Sequence, residues 1–188
     1  MKFLLLMVFV VLTGCETLKQ PLLTHHAVIG IYPTQMPPLP EGERIVLVGG
    51  VFDLIHYGHL RFLEAAKSQG DYLVVAIESD SFIKHRKRRD PVHLQRQRAE
   101  LLAHLDMVDE VVMLPPMKGY KDYVNLVEVI HPQVIAVTEG DPHLAQKEKQ
   151  AALVGAEIAH VMGRNRGFST RDILRHMCKK EETPALRK

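Results

Sequence analysis

With 188 residues, 46% of them hydrophobic and 24% charged, the chain has the length and balance of one ordinary globular domain, which excludes a disordered or fibrous protein. Lys and Arg number 24 against 22 Asp and Glu, so the formal charge of +2 gives no general reason to expect a nucleic-acid or membrane-surface partner. The only two cysteines, Cys15 and Cys178, lie too far apart in sequence to suggest a disulfide framework or metal-ligand spacing, and the histidines show no zinc-type spacing.

The N-terminus carries Lys2 and an apolar run from Phe3 to Leu12, shorter than a bilayer span but suited to a signal-peptide core. Its ending, Leu12-Thr13-Gly14-Cys15, resembles a bacterial lipobox, which would make residues 1–15 a signal-like segment with a membrane anchor at Cys15. The other open reading is an upstream extension, with translation starting near Met36. Residues 16–42, with Pro21, Pro33, Pro37, Pro38 and Pro40, read as a proline-containing linker. The folded domain is then expected over 43–180, with a polar tail at 181–188.

From Arg44 the pattern alternates. The continuous apolar run Arg44 to Gly50 predicts a strand covered on both faces, and His59 to Gln69 a helix stopped by Gly70. Tyr72 to Glu78 is a second buried strand. After the basic segment Lys84 to Arg89, Pro91 opens a helix to about Leu105, followed by strand at Glu110 to Leu114 and helix at Asp122 to Ile130. Strand Gln133 to Thr138, helix His143 to Val154, short strand Glu157 to Met162 and a last helix from Ser169 to Lys179 complete the series, with Cys178 a small half-buried side chain. Strands separated by helices predict an α/β fold with a doubly wound parallel sheet of about five strands.

In such sheets ligands bind beyond the carboxyl ends of the strands, and the first strand-to-helix turn is the usual phosphate site. Here that turn is Gly49 to His59. Gly49 and Gly50 allow close approach to the backbone, and the helix start that follows offers unpaired N–H groups and a positive dipole end. His56 and His59, three residues apart, fall on one side of that helix start, and Gly58 leaves room for a phosphate chain.

The stretch "GVFDLIHYGHLRFLEAA" resembles the HxGH signature of cytidylyltransferase-like nucleotidyltransferases, in the form seen in glycerol-3-phosphate cytidylyltransferases and the adenylyltransferase domain of ADP-heptose synthases. The likeness covers roughly residues 43–177 and implies a Rossmann-like version of the sheet. It implies catalytic roles for His56, His59 and Lys84, the last matching a phosphate-contacting lysine in "ESDSFIKHRK". Gly50, Phe52 and Arg98 would belong to the nucleotide site, with base and ribose against Thr138, Gly140 and Asp141. "GRNRGFSTRDIL" is similar to a triphosphate-binding segment and implicates Arg164, Ser169 and Thr170. Independently, Ser169 with Asp172 three positions on forms a capping box, another anion cradle. The chain departs from the family at Val48-Gly49, at Arg171 and at Thr138-Glu139-Gly140-Asp141, where contacts or a positive charge beside the nucleotide are lost.

The resemblance implies transfer of CMP or AMP from CTP or ATP to a small phosphorylated acceptor, with pyrophosphate released. The acceptor could be a polyol phosphate, a sugar phosphate or a flavin mononucleotide. Mg²⁺ would arrive with the triphosphate, and no side-chain metal site is expected. Asp53 is read as shaping the turn. Homodimers are common among such enzymes. Because nucleoside triphosphates are cytoplasmic, the catalytic domain is expected in the cytoplasm, with a membrane-anchored lipoprotein as the alternative. Two further readings are a nucleotide-binding module without turnover and an anionic-polymer binder acting through Lys84 to Arg89; the simpler role for that basic segment is a lid over phosphates, and no nucleic-acid partner is expected.

Overall fold

The computed structural model describes residues 26–163 together with Thr170 and Ile173. Among them six strands, β1 (Val28–Ile31), β2 (Ile45–Gly50), β3 (Tyr72–Ile77), β4 (Glu110–Met113), β5 (Val134–Thr138) and β6 (Glu157–Met162), form one sheet in the order β1-β4-β3-β2-β5-β6. Every pairing is parallel. The chain moves outward from β2 through β3 and β4, then returns to the other side of β2 to lay down β5. The strand order therefore reverses between β2 and β5, where parallel sheets place their ligands.

The apolar runs become central strands because both sides of each residue's strand are covered. Along β2, Val46 and Val48 pack on one face with Leu63 and Ala66 of α1 (Tyr57–Lys67) and with Leu102, while Ile45 and Leu47 pack on the other with Leu126 and Ile130. Leu102 belongs to α3 (Gln95–Ala103), which follows the single turn α2 (Asp80–Phe82), and Leu126 and Ile130 belong to α4 (Tyr120–Ile130); α5 (Leu144–Val154) adds Ala151 to the second face. Two apolar layers sandwiching one sheet leave only its strand ends for chemistry. Gly70 closes the α1 connection because a Cβ there would lie 2.4 Å from the Arg44 carbonyl oxygen, so no larger side chain fits.

The strands β2 and β3 keep six residues in register, from Ile45↔Tyr72 to Gly50↔Ile77. In contrast β2 and β5 pair only at Val46↔Val134 and Leu47↔Ile135, so the strands part company before either reaches its carboxyl end.

The sheet has one more strand than expected, and it lies inside the stretch read as a linker. β1 pairs with β4 from Val28↔Glu110 to Ile31↔Met113. Its four residues are mostly exposed, and the prolines after it fold back over it: a Cβ on Gly30 would meet the Pro37 ring at 2.7 Å. The segment predicted as a helix from Pro91 begins instead at Gln95, and the basic segment forms a π-helical turn over Ile83–Lys87. The last helix lies outside the described residues except for Thr170 and Ile173, which are helical. Among the described residues no helix is long and apolar enough to cross a membrane. Cys15 and Cys178 also lie outside them.

Glu110, fully buried at the start of β4, receives the Tyr72 hydroxyl at 3.4 Å on Oε2, while Oε1 has no partner. Burial raises its carboxyl from 4.5 to about 7, against the opposing effect of the Tyr72 bond. The folded state then binds the proton more tightly than the unfolded chain, so this stabilisation is full below pH 4.5 and is lost as pH rises through about 7. Glu110→Gln should flatten the profile, gaining up to about 3 kcal/mol over the wild type at pH 8 and little at pH 4.5, as read from urea unfolding at the two pH values.

Candidate functional site

At the end of β2 the chain turns through two non-glycine residues in the left-handed region, Phe52 at φ 48 and Leu54 at φ 61. Such conformations cost of order 1–3 kcal/mol each and persist only where their surroundings hold them. Asp53, between them and 1% exposed, is the hold. Its carboxylate accepts from the backbone N–H groups of Val92 and His93 at 3.0 Å each and from the Arg89 guanidinium, contacts that keep it below the usual carboxylate range against the opposing effect of burial. Its carbonyl accepts from the Thr170 hydroxyl at 2.7 Å. Asp53 therefore shapes the turn.

The turn delivers His56 to the N-cap of α1, where its Nδ1 accepts from the His59 backbone N–H at 3.3 Å. With Nδ1 occupied as an acceptor, the neutral ring carries its proton on Nε2, which is then a donor. The His56 and His59 rings stack with centroids 3.7 Å apart and planes 19° from parallel, and the Phe52 ring lies 5.1 Å from that of His59. Burial lowers the His56 pKa; for His59 burial, with the neighbouring His56 charge, brings it to about 4 although Asp53 works in the opposite direction. Burial thus favours the uncharged form of both imidazoles. The Nδ1 of His59 is buried without a partner.

The histidines face a cleft of about 260 Å³ over the seam between β2 and β5. Gly49, Gly50, Phe52 and Gly58 line it on the histidine side; Thr138, Asp141, Lys147 and Met162 line it opposite. Gly50 is required here, since a Cβ would meet the Phe52 ring at 2.8 Å. Gly140, at φ 68, makes the turn that carries Asp141 to the rim. Asp141 Oδ1 then accepts from the His143 backbone N–H at 2.8 Å, at the start of α5, and Oδ2 accepts from Lys147 at 2.8 Å; the Lys147 bond leads the contacts that hold its carboxyl low against burial. The site thus places two imidazoles at a positive helix end, glycines along one wall and an ion-paired carboxylate opposite.

The structure gathers His56, His59, Gly50, Phe52, Thr138 and Asp141 at the cleft, with Gly140 beside it. Lys84 is elsewhere: exposed on the π-helical turn, its Nζ is 3.2 Å from Asp90. Arg98, expected at the nucleotide, is completely buried, and its guanidinium donates to the carbonyls of Val51, Glu78 and His93 and to the Asp80 carboxylate. It supports the floor of the turn from within, because four of its five N–H groups are taken by protein oxygens. Thr170 spends its hydroxyl on Asp53, and Arg164 and Ser169 lie outside the described residues. Lys147 was missed: a lysine in the charged run "QKEKQ" reads as a solvated helix face, and only the path of α5 brings it to the cleft.

A family model described as cytidylyltransferase-like matches residues 47–176. An FAD synthase of Thermococcus onnurineus is 51% identical over 92 residues, which are 49% of this chain and 59% of that protein. The "Bifunctional protein HldE" of Nitratiruptor sp. is 38% identical over 120 residues, 63% of this chain and 24% of that protein. The chain thus spans about three-fifths of the first of these relatives and a quarter of the second. Among solved structures, a lipopolysaccharide core biosynthesis protein from Thermoplasma volcanium superposes with a TM-score of 0.53 at 25% identity, covering 64% of this chain and 96% of that one.

Proposed function

Because the chain belongs to the cytidylyltransferase-like family, we propose that it transfers a nucleoside monophosphate from a nucleoside triphosphate to a small phosphorylated acceptor. The observation that carries this reading is the stacked His56–His59 pair at the start of α1, over the point where strand order reverses. An acceptor phosphate oxygen attacks the α-phosphorus, its new P–O bond forming as the bond to the β-phosphate oxygen breaks and pyrophosphate leaves. Such a transfer depends on in-line positioning and on donors preorganised for the charge that develops on the phosphoryl oxygens. His56 Nε2–H is one such donor, His59 the second, and the N–H groups at the start of α1 add a positive dipole end. Asp141 is suited to a ribose hydroxyl. Lys84, Arg164 and Ser169 are proposed to bring charge and donors to the phosphate chain.

Among the described residues no group of three or more His, Cys, Asp or Glu could hold a metal ion. A Mg²⁺ carried in on the triphosphate requires none, and Asp141, the carboxylate that lines the cleft, is the group able to meet its water shell. Bound there, the ion would neutralise charge on the departing pyrophosphate.

The relatives named FAD synthase favour ATP as donor and flavin mononucleotide as acceptor, since FAD is adenylylated flavin mononucleotide. The resemblance of the histidine motif to that of ADP-heptose synthases favours a sugar phosphate instead. Pyrophosphate release with Mg²⁺, crossing ATP and CTP against flavin mononucleotide, glycerol 3-phosphate and a heptose phosphate, separates them. Release is expected with ATP and flavin mononucleotide. Nucleotide binding without release from any pair would leave a module without turnover.

A further inference from the structure

Lys147 is the one Lys or Arg side chain lining the cleft among the described residues. It stands opposite His56 and His59, on the first turn of α5, and is mostly enclosed, with 21% of its side chain exposed. The basic segment does not reach the same place. Lys84 is paired with Asp90, Arg89 is turned inward to Asp53, and the Arg98 guanidinium is closed off by four protein oxygens. Burial favours the uncharged form of both imidazoles, so among the side chains lining the cleft the full positive charge is at Lys147.

Resting on the reading of the cleft as a phosphoryl-transfer site, we infer that Lys147 is a phosphate-binding residue held in reserve by Asp141. An arriving phosphate oxygen replaces Asp141 Oδ2 as the partner of the Lys147 ammonium. Asp141 keeps its Oδ1 bond to the His143 backbone and so stays in place, leaving Oδ2 open to a ligand hydroxyl. One exchange thereby creates a phosphate contact and a hydroxyl contact on opposite ends of the same ion pair. Lysine suits this because a flexible stem carries three rotatable donors, and 21% of that side chain remains exposed to an entering ligand. The resting ion pair offsets the Asp141 charge toward an arriving phosphate, and the ligand hydroxyl then takes up the oxygen that the lysine leaves.

The phosphate could be the donor's or the acceptor's, and two ligand series distinguish these. Binding of adenosine, AMP and ATP, and of riboflavin and flavin mononucleotide, is measured by calorimetry for the wild type, Lys147→Met, Lys147→Arg and His59→Ala. Lys147→Met is expected to weaken ATP roughly 10- to 100-fold while leaving adenosine nearly unchanged, with Lys147→Arg restoring much of the loss. Weakening confined to flavin mononucleotide, with riboflavin and ATP unaffected, would assign the contact to the acceptor phosphate. Unchanged affinity for every phosphate ligand in Lys147→Met, while His59→Ala loses it, overturns the inference, as does failure of the wild type to bind any of them. Phosphate-dependent binding through Lys147 without pyrophosphate release would sink the catalytic reading and leave this one standing.

Discussion

Replacing His59 with alanine should lower the rate of pyrophosphate release by roughly 100- to 1,000-fold, the usual effect of losing one preorganised donor to a developing oxyanion. The loss should fall mainly on kcat, because the contact strengthens as charge builds on phosphorus and is weaker in the ground state. His59 is packed between the rings of Phe52 and His56, so alanine also opens a small cavity; His59→Asn, which keeps bulk and an N–H, should recover part of the rate if donation matters and none if only packing does. Its pKa of about 4 in the free protein sets a second readout. A bound polyphosphate favours the charged imidazolium, so binding should be accompanied by proton uptake near pH 5 that the alanine variant lacks, detectable as a buffer-dependent heat. An unchanged kcat would remove the histidine pair from the mechanism.

Arg98→Met should destabilise the fold by about 3–5 kcal/mol, the scale expected when one partner of a buried charged network is removed. The Asp80 carboxylate would lose its guanidinium, and the carbonyls of Val51, Glu78 and His93 would lose their donors. Arg98→Lys should fail to rescue, since a single ammonium cannot reach oxygens arranged around a planar fork. Urea unfolding distinguishes this from a ligand-binding role: a residue that touched nucleotide would give, as lysine, a chain of ordinary stability with weakened affinity.

Arg98 also shows where sequence reasoning stops. An arginine in a helix rich in Gln, Arg and Glu carries no mark of complete burial, and its burial depends on three separate strand-end and loop segments converging around it. The alternation of apolar runs and helical segments was legible because each central strand is covered twice, which makes Val46, Val74 and Val134 part of unbroken hydrophobic stretches. The histidine pair was legible because a strand, a tight turn and a helix start are all local. β1 was hidden for the opposite reason: four residues, an exposed pattern and a proline-rich sequel carry too little periodicity, and its partner β4 lies about 80 residues away. Lys147 stayed hidden because its neighbours in sequence are solvated, and the cleft it lines is closed on the far side by the turn after β2.

The pairing of β2 with β5 is brief. Two register pairs join β2 to β5, against six between β2 and β3 and five between β5 and β6. The shortest pairing in the sheet therefore lies beneath the cleft, between the histidine wall that follows β2 and the Thr138–Asp141 wall that follows β5.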